Sequence, residues 1–282
     1  MGQVALESVV QSVNELPSLP QVVLEVMRLT RDPNTSAREL NDVICQDQAI
    51  TANMLRLANS AYYGFPRLIG TVGEAVVLLG FQTVRSIILT AAMGDTLSKE
   101  VKAYSLEKGE LWKHSIGVAT AGRMIAKRTG YKYQDLAYTA GLLHDVGKIV
   151  LADYLEKYCS EVMEKVNSDE VSFADAEFEI LGIDHAQTGG EVAKKWNFPA
   201  EIVEAINFHH TPDLAVQDPK LTAITHVADI MCTGIGIGIG IDGLLYQASG
   251  HAVGILELDE KVMEEIVAEL IDVFTAEDTT DN

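Results

Sequence analysis

Apolar residues recur at intervals of three and four along most of the chain, the spacing that places them on one face of an α-helix. Strict alternation, the pattern of a half-buried strand, is confined to the run Ile235–Ile241. The pattern therefore predicts an all-helical protein. A clear example near the N-terminus is the set Val22, Val23, Val26, Met27 and Leu29.

Capping residues indicate where helices begin and end. Ser36 with Glu39, and Thr71 with Glu74, have the spacing of a capping box, and Gly80 has the character of a helix stop. A polar stretch before residue 105 predicts a boundary between an N-terminal helical lobe (1–100) and a C-terminal bundle (101–258), followed by a last helix and disordered tail (259–282). Further helices are predicted from Asp47 and over Phe81–Ala92, Ser105–Gly130, Asp135–His144, Ser172–Gly182, Asp184–Trp196, Pro199–Phe208, Lys220–Cys232 and Glu260–Phe274.

The run Ile235–Ile241 alternates isoleucine with glycine. A dinucleotide-binding glycine loop follows a strand and opens a helix, whereas this run follows a predicted helix. We therefore expect a loop in which glycine permits positive φ or the close approach of another helix.

The charge of the chain narrows the classes of partner. With 21 basic and 41 acidic residues the net charge is −20, and such a surface repels phosphate backbones and anionic lipid. We expect neither non-specific nucleic-acid binding nor membrane binding. The three dispersed cysteines form no CxxC pair, which favours a reducing, cytoplasmic location.

The segment Gly141–Lys148, GLLHDVGK, places His144 beside Asp145 at the end of an apolar helical run. Adjacent side chains on a helix diverge, but at a helix end an imidazole and a carboxylate can bind one metal ion. Lys148 follows one turn later, where an ammonium group can hold a phosphate oxygen.

Other histidines and acids fall where helices of one bundle converge. Glu110 and His114 are four residues apart and share a helix face. His185 follows a predicted cap, and Asp229 lies in an apolar helix, where an unpaired carboxylate is costly. The candidate metal ligands are Glu110, His114, His144, Asp145, His185, His209, His210 and Asp229.

Imidazole and carboxylate together favour iron, manganese or zinc. A bridging Asp145 suits two ions about 3.5–4 Å apart, as in two-metal phosphoesterases. We expect one to three divalent ions, with Asp145 and Lys148 as the catalytic candidates if the site is an enzyme.

Each residue also has a structural interpretation. His114 can be a hydrogen-bonded core histidine, and His209 with His210 can cap a helix C-terminus. Lys148 and Glu110 can be solvated surface groups. His226 and His251 are interpreted as structural.

The chain resembles HDOD proteins, the HD-related output domains of bacterial signal transduction, within the HD superfamily. The resemblance spans roughly residues 10–255. It is carried by LPSLP, ICQDQAITANMLRLANSAYYG, TVGEAVVLLGFQTVRSIIL, LWKHSIGVA, AGLLHDVGK, GIDHAQTGGEVAKKWNFP and AINFHHTP, in that order.

The resemblance implies an all-α fold, with an N-terminal helical lobe packed on an HD-like bundle, and a regulatory role. Many members have lost the HD ligands, whereas this chain keeps residues similar to the metal set of HD-GYP cyclic-dinucleotide phosphodiesterases. However, His209-His210 is followed by Thr211-Pro212 and by no glycine-tyrosine-proline segment.

Two hypotheses follow. The first is a signalling output module that binds a protein partner and carries a structural or sensory metal site. The second is a metal-dependent phosphohydrolase acting on a nucleotide or cyclic nucleotide, for which a small nucleotide would be the ligand. The missing segment favours the first.

Overall fold

The structure is a computed structural model that describes residues 2–16, 18–60, 67–169, 171–243 and 247–278. The regular elements in these residues are helices, and no strand occurs among them; one isolated bridge joins Val101 and Leu106. This confirms the predicted all-α class. The helices are α1 (Gly2–Glu15), α2 (Gln21–Leu29), α3 (Ala37–Ile44), α4 (Gln48–Ala58), α5 (Val72–Leu97), α6 (Glu110–Arg128), α7 (Gln134–Leu143), α8 (Gly147–Asp169), α9 (Phe173–Leu181), α10 (His185–Lys195), α11 (Ala200–Asn207), α12 (Pro219–Gly234), α13 (Gly250–Leu256) and α14 (Glu260–Asp278).

Contacts divide the chain into two compact units. The first comprises Met1–Ser18 with Leu97–Val267, and the second comprises Leu19–Thr96 with Ala268–Asn282. The lobe boundaries expected from the sequence, 1–100, 101–258 and 259–282, stay a prediction. The predicted C-terminal helix continues past Phe274 to Asp278, and the end of the predicted disordered tail lies outside the described residues.

The second unit follows the capping signals of its sequence. Ser36 and Glu39 form both hydrogen bonds of a capping box, and Asp47 caps α4. At the start of α5, Thr71 accepts a hydrogen bond from the backbone of Glu74, while the Glu74 carboxylate accepts from Gly70. The second predicted capping box is therefore shifted by one residue.

Gly80 interrupts α5 as its sequence predicts. Its backbone has φ +80° and ψ 165°, which is not helical, and helix resumes beyond it.

Among the described helices, α5 alone is long and apolar enough to cross a membrane by length and composition, and 44% of its most apolar window is buried. A span needs about 20 consecutive apolar residues, and the break at Gly80 leaves two shorter pieces.

In the first unit, α6 packs against α7 and α12, and α10 packs against α8 and α11. Glycine permits the closest approaches: a Cβ at Gly141 would lie 2.7 Å from the carbonyl oxygen of Val118. One at Gly147 would lie 2.0 Å from the carbonyl oxygen of His185. The backbones of α7 and α8 therefore contact their neighbours directly, with no side chain between them.

The start of α6 differs from its prediction. The helix begins at Glu110 and not at Ser105, because Ser105 and Gly109 adopt left-handed conformations with φ of 54° and 92°. A short 3-10 turn, Lys102–Tyr104, precedes them. The sequence pattern also missed α1, α8 and α13.

Helix α1 is attached to its unit by side chains of two other helices. The Lys195 ammonium on α10 donates hydrogen bonds to the carbonyl oxygens of Val13, Asn14 and Leu16, at 2.9, 2.6 and 2.5 Å. Tyr154 on α8 donates to the carbonyl oxygen of Ser8 at 2.9 Å. The lysine satisfies carbonyl groups that the end of a helix leaves without intrahelical partners.

Candidate metal centre

Seven of the eight predicted ligands converge within the first unit. His144 caps the C-terminus of α7, Asp145 lies in the turn before α8, and His185 is the first residue of α10. His114 and Asp229 project from α6 and α12, and His209 with His210 follow α11. The direct backbone contact at Gly147 brings the start of α10 to the HD turn, so helix ends supply most of the donors.

Asp145 lies at the middle of the cluster. Its Oδ2 is 3.4 Å from Nε2 of His144 and 3.7 Å from Nε2 of His114. Its Oδ1 is 3.6 Å from Nε2 of His185 and 3.8 Å from Nε2 of His209. The two oxygens of one carboxylate therefore face two different pairs of histidines, which is the arrangement of a bridging ligand.

The remaining donors form two groups, each with its potential ligand atoms within 4.8 Å of one another. One group is His114, His144 and Asp229, and the other is His185, His209 and His210. Asp145 adds one oxygen to each. Two ions with imidazole and carboxylate ligands fit this donor set, which matches iron, manganese or zinc in character.

Backbone carbonyl groups hold a proton on Nδ1 of three histidines. Nδ1 of His114, His144 and His209 lies 2.9, 2.7 and 2.7 Å from the carbonyl oxygens of residues 237, 141 and 206. A carbonyl can only accept, so each Nδ1 carries a proton. Nε2 of His144 and of His209 then presents its lone pair to the cluster, whereas Nε2 of His114 lies 3.1 Å from Asp229 Oδ1. Metal-binding histidines are oriented in this way.

The surroundings of two of these Nε2 atoms indicate whether a metal ion fits the site. Nε2 of His144 and of His209 is buried and has no hydrogen-bond partner, although a buried polar atom without a partner costs about 1–3 kcal/mol. Both atoms face Asp145. A metal ion between the imidazoles and the carboxylate would satisfy all of these atoms, so the residues fit the group that the sequence implies.

The electrostatics of the cluster favour ionised carboxylates. Burial opposes ionisation of Asp145, but His144 and Lys148 hold its pKa well below its usual range. Burial and the neighbouring His144 together lower the pKa of His209 to about 3, so its imidazole is neutral. Two histidines differ: Asp229 outweighs burial and raises the pKa of His114, and Glu177 outweighs burial and raises the pKa of His185 to about 9.

Glu177, on α9, is a part of the site that sequence reasoning missed. Its side chain is fully buried, and its Oε2 accepts hydrogen bonds from Nδ1 and the backbone N–H of His185, at 2.6 and 2.9 Å. The Tyr104 hydroxyl donates to Oε1 at 2.5 Å. Glu177 thus orients His185 from behind. Its place on the apolar face of α9, beside Phe173 and Ala174, is the signal that the sequence offered.

Asp242 was also missed, and it changes the environment of Lys148. The buried Lys148 ammonium lies 2.5 Å from Asp145 Oδ2 and 2.5 Å from Asp242 Oδ2. Lys148 is therefore not a solvated surface lysine. The sequence pattern placed Asp242 only at the edge of the glycine-rich run, with no indication of a partner.

The glycine-rich run covers the cluster. Gly238 has φ +58°, and a Cβ there would lie 2.3 Å from the carbonyl oxygen of Glu110. A Cβ at Gly240 would lie 2.4 Å from that of Tyr104. This is the close approach expected from the sequence, and it leaves an opening of about 10 Å³, about the room for one water.

The other candidates lie outside the cluster. Glu110 is half-buried in the first turn of α6 and belongs to none of the metal-capable groups of the described residues, so its role as a ligand stays a prediction. His226 donates from Nδ1 to the carbonyl oxygen of His209 at 2.6 Å and accepts from the Ser249 N–H at Nε2. His251 is exposed on α13.

Known structures share this fold. An HDOD domain protein from Geobacter sulfurreducens is 30% identical, with 96% of each chain covered and a TM-score of 0.74. A protein from Shewanella amazonensis SB2B, provisionally named a phosphohydrolase, is 25% identical, with a TM-score of 0.67 and coverage of 93% of this chain and 97% of that chain.

An uncharacterized protein from Treponema pallidum is 24% identical over 214 residues, which are 76% of this chain. The chain spans 41% of that protein's length. The HDOD domain family matches residues 16–212, a range that includes the HD turn and both histidines after α11. The order of the motifs, the helical fold and the family match agree, and the chain belongs to the HDOD domain family.

Proposed function

We propose that this chain is a regulatory output module of bacterial signal transduction that binds two divalent metal ions and acts through a protein partner. The observation that carries the metal part is Asp145, whose two carboxylate oxygens face separate histidine pairs. Lone-pair nitrogens buried without partners at His144 and His209 support it.

The regulatory part is supported by the closure of the site. The opening has room for about one water, and the Lys148 ammonium is paired with carboxylates on two sides. A cavity of this size favours a bound metal that stabilises or signals a conformation over one that turns over a nucleotide.

The experiment is metal analysis by mass spectrometry on the full chain, purified without air, chelators or a histidine tag. We expect about two equivalents of iron, manganese or zinc per chain, and their loss in Asp145→Asn. Asp153→Asn, which removes an exposed carboxylate on α8, is the matched control. A folded wild-type chain that stays metal-free after incubation with each of the three metals would refute the metal site.

Partner binding is tested separately. We expect a protein captured from the source cells by the metal-loaded chain and lost with Asp145→Asn, and no metal-dependent turnover across a panel of nucleotides and cyclic nucleotides. Turnover at rates typical of enzymes, on the order of 1 per second or more, would overturn the regulatory proposal.

The second candidate is a metal-dependent phosphohydrolase acting on a nucleotide or cyclic nucleotide. Asp145 as a bridging carboxylate, with Lys148 beside it, is the specific observation that favours this activity. Metal ions held by these residues would lower the pKa of bound water to about 7 and supply hydroxide at neutral pH. Lys148 would hold a phosphate oxygen after leaving Asp242.

This candidate predicts metal-dependent hydrolysis of at least one phosphoester in the same panel. Asp145→Asn should abolish it while the helical circular dichroism spectrum is retained. A fully metal-loaded chain that leaves the entire panel intact would count against hydrolysis.

A further inference from the structure

The two carboxylates that pair with Lys148 come from different parts of the chain. Asp145 belongs to the cluster and comes from the turn before α8, whereas Asp242 comes from the segment that follows α12. Both carboxylates are buried, with 1% and 4% of their surface exposed. Asp242 lies outside residues 16–212, the range that the HDOD family matches.

The carboxylate of Asp242 faces the same small cavity as His210 and Asp229. Three carboxylates therefore line it, at Asp145, Asp229 and Asp242, and Lys148 pairs with the first and the last of them. A carboxylate oxygen accepts a charge-assisted hydrogen bond from an ammonium group as a phosphoryl oxygen does. Asp242 thus occupies the position in which an anionic ligand would contact Lys148.

The segment that carries Asp242, residues 235–242, is only partly attached to the bundle. The carbonyl oxygen of Ile237 accepts from His114, and the Ile237 N–H donates to Cys232. Gly238 and Gly240 contribute backbone contact alone, and Ile239 is 41% exposed. Ile237 is the one isoleucine of this segment that is buried, and segments held by so few buried apolar side chains typically open at low cost.

We propose that Asp242 is an internal competitor for a phosphoryl-binding subsite at Lys148. A ligand carrying a phosphoryl group displaces the Asp242 carboxylate from Lys148, and residues 235–242 move away from the cavity. The inference rests on the proposed metal site, since the subsite adjoins it, but it concerns the ligand class and the control of access.

The test is titration of the manganese-loaded full chain with inorganic phosphate by calorimetry, after the metal content of each variant has been measured. Asp242→Asn keeps the shape of the side chain and removes its charge. We expect it to bind phosphate about tenfold more tightly than wild type or more, because a closed form reduces apparent affinity by the fraction of open molecules. The gain in affinity of Asp242→Asn over wild type should be smaller for acetate than for phosphate.

Asp153→Asn makes the same change in net charge at an exposed position of α8, five residues after Lys148, and should leave phosphate affinity unchanged. Equal affinity of wild type and Asp242→Asn, or no detectable phosphate binding to Asp242→Asn, would overturn the inference. If the protein holds its metal, either of these results contradicts the competitor role of Asp242 but not the proposed metal site. If the protein binds no metal, the proposed metal site is itself refuted.

Hydrogen exchange on the unaltered chain supplies a second measurement, which does not depend on the folding of a variant. Saturating phosphate should accelerate amide exchange in residues 235–242 while α6 and α12 keep their protection. Unchanged exchange with phosphate bound would mean that Asp242 stays on Lys148, and the competitor role would be wrong.

Discussion

At the scale of single residues, the site depends on groups that hold the ligands as much as on the ligands. Glu177 accepts from His185 through one oxygen and from Tyr104 through the other, so the imidazole has one orientation and keeps a proton on Nδ1. His226 holds the carbonyl oxygen of His209 in the same manner. Each such contact is made before any ion arrives.

Glu177→Gln is expected to weaken metal binding by about 10–100-fold, the usual cost of losing an outer partner of a ligating histidine. The amide can still accept from His185, but without the charge that strengthens the bond. Competition with a fluorescent metal indicator measures the affinity.

Glu179→Gln is the control for that variant. Glu179 lies on the same helix, is exposed, and pairs with Lys165 at 2.6 Å, so metal affinity should stay at the wild-type value. Equal affinities of the two variants would mean that Glu177 has no part in holding His185 for the metal.

At the scale of elements, direct backbone contact at Gly147 sets the position of α10 relative to the HD turn. Gly147→Ala should destabilise the chain by about 1–3 kcal/mol or more, the usual cost of overpacking, because a Cβ would lie 2.0 Å from the carbonyl oxygen of His185. Urea unfolding measures the change.

Gly254→Ala is the matched substitution. A Cβ at this exposed position of α13 meets nothing within 4 Å, so alanine should stabilise the chain by about 0.5–1 kcal/mol through helix propensity. A Gly147→Ala variant as stable as wild type would show that α8 and α10 can separate without cost.

The attachment of α1 gives a second prediction at this scale. Lys195→Met removes three hydrogen bonds to the end of α1, and we expect local opening to become easier by about 1.4 kcal/mol, which is tenfold. Amide exchange of α1 should therefore accelerate about tenfold.

Lys194→Met supplies the comparison, since Lys194 is exposed and pairs with Glu191 on its own helix. Its α1 amides should exchange at the wild-type rate. If both variants behave alike, α1 is held by its apolar contacts and the lysine is dispensable.

At the scale of the whole molecule, metal binding should stabilise the fold. An ion present at 100 times its dissociation constant adds about 2.7 kcal/mol, and a chain of this size gains roughly 2–4 °C in Tm per kcal/mol. We expect manganese or zinc to raise the Tm of the chelator-treated protein by about 5–10 °C. Scanning calorimetry provides the measurement.

Asp145→Asn should lose most of that rise, because the amide cannot bridge two ions as a carboxylate does. A rise of the same size in both proteins would place the stabilising ion elsewhere in the chain.

The sequence was informative where local chemistry decides the structure. Ser36, Asp47 and Gly182 cap or end helices as predicted, because a cap depends on residues within one turn. The adjacent HD residues and the dispersed histidines also predicted the cluster, since few structural roles require so many donors in one bundle.

Contacts between distant residues were the part that the sequence could not supply. Lys148 and Asp242 meet across 94 positions, and Glu177 reaches Tyr104 across 73. The predicted start of α6 was wrong for a related reason. Ser105 adopts a left-handed backbone conformation, which serine does not favour by itself.

Sharing Asp145 has a consequence for how the chain responds to metal supply. Because one carboxylate faces both groups of donors, the affinity of each group for metal would depend on whether the other is filled, and the factor would be the same in both directions. Empty, singly loaded and doubly loaded chains are then three linked states whose proportions follow the free metal concentration. Binding of a partner that recognises one of these states would then vary gradually with the free metal concentration.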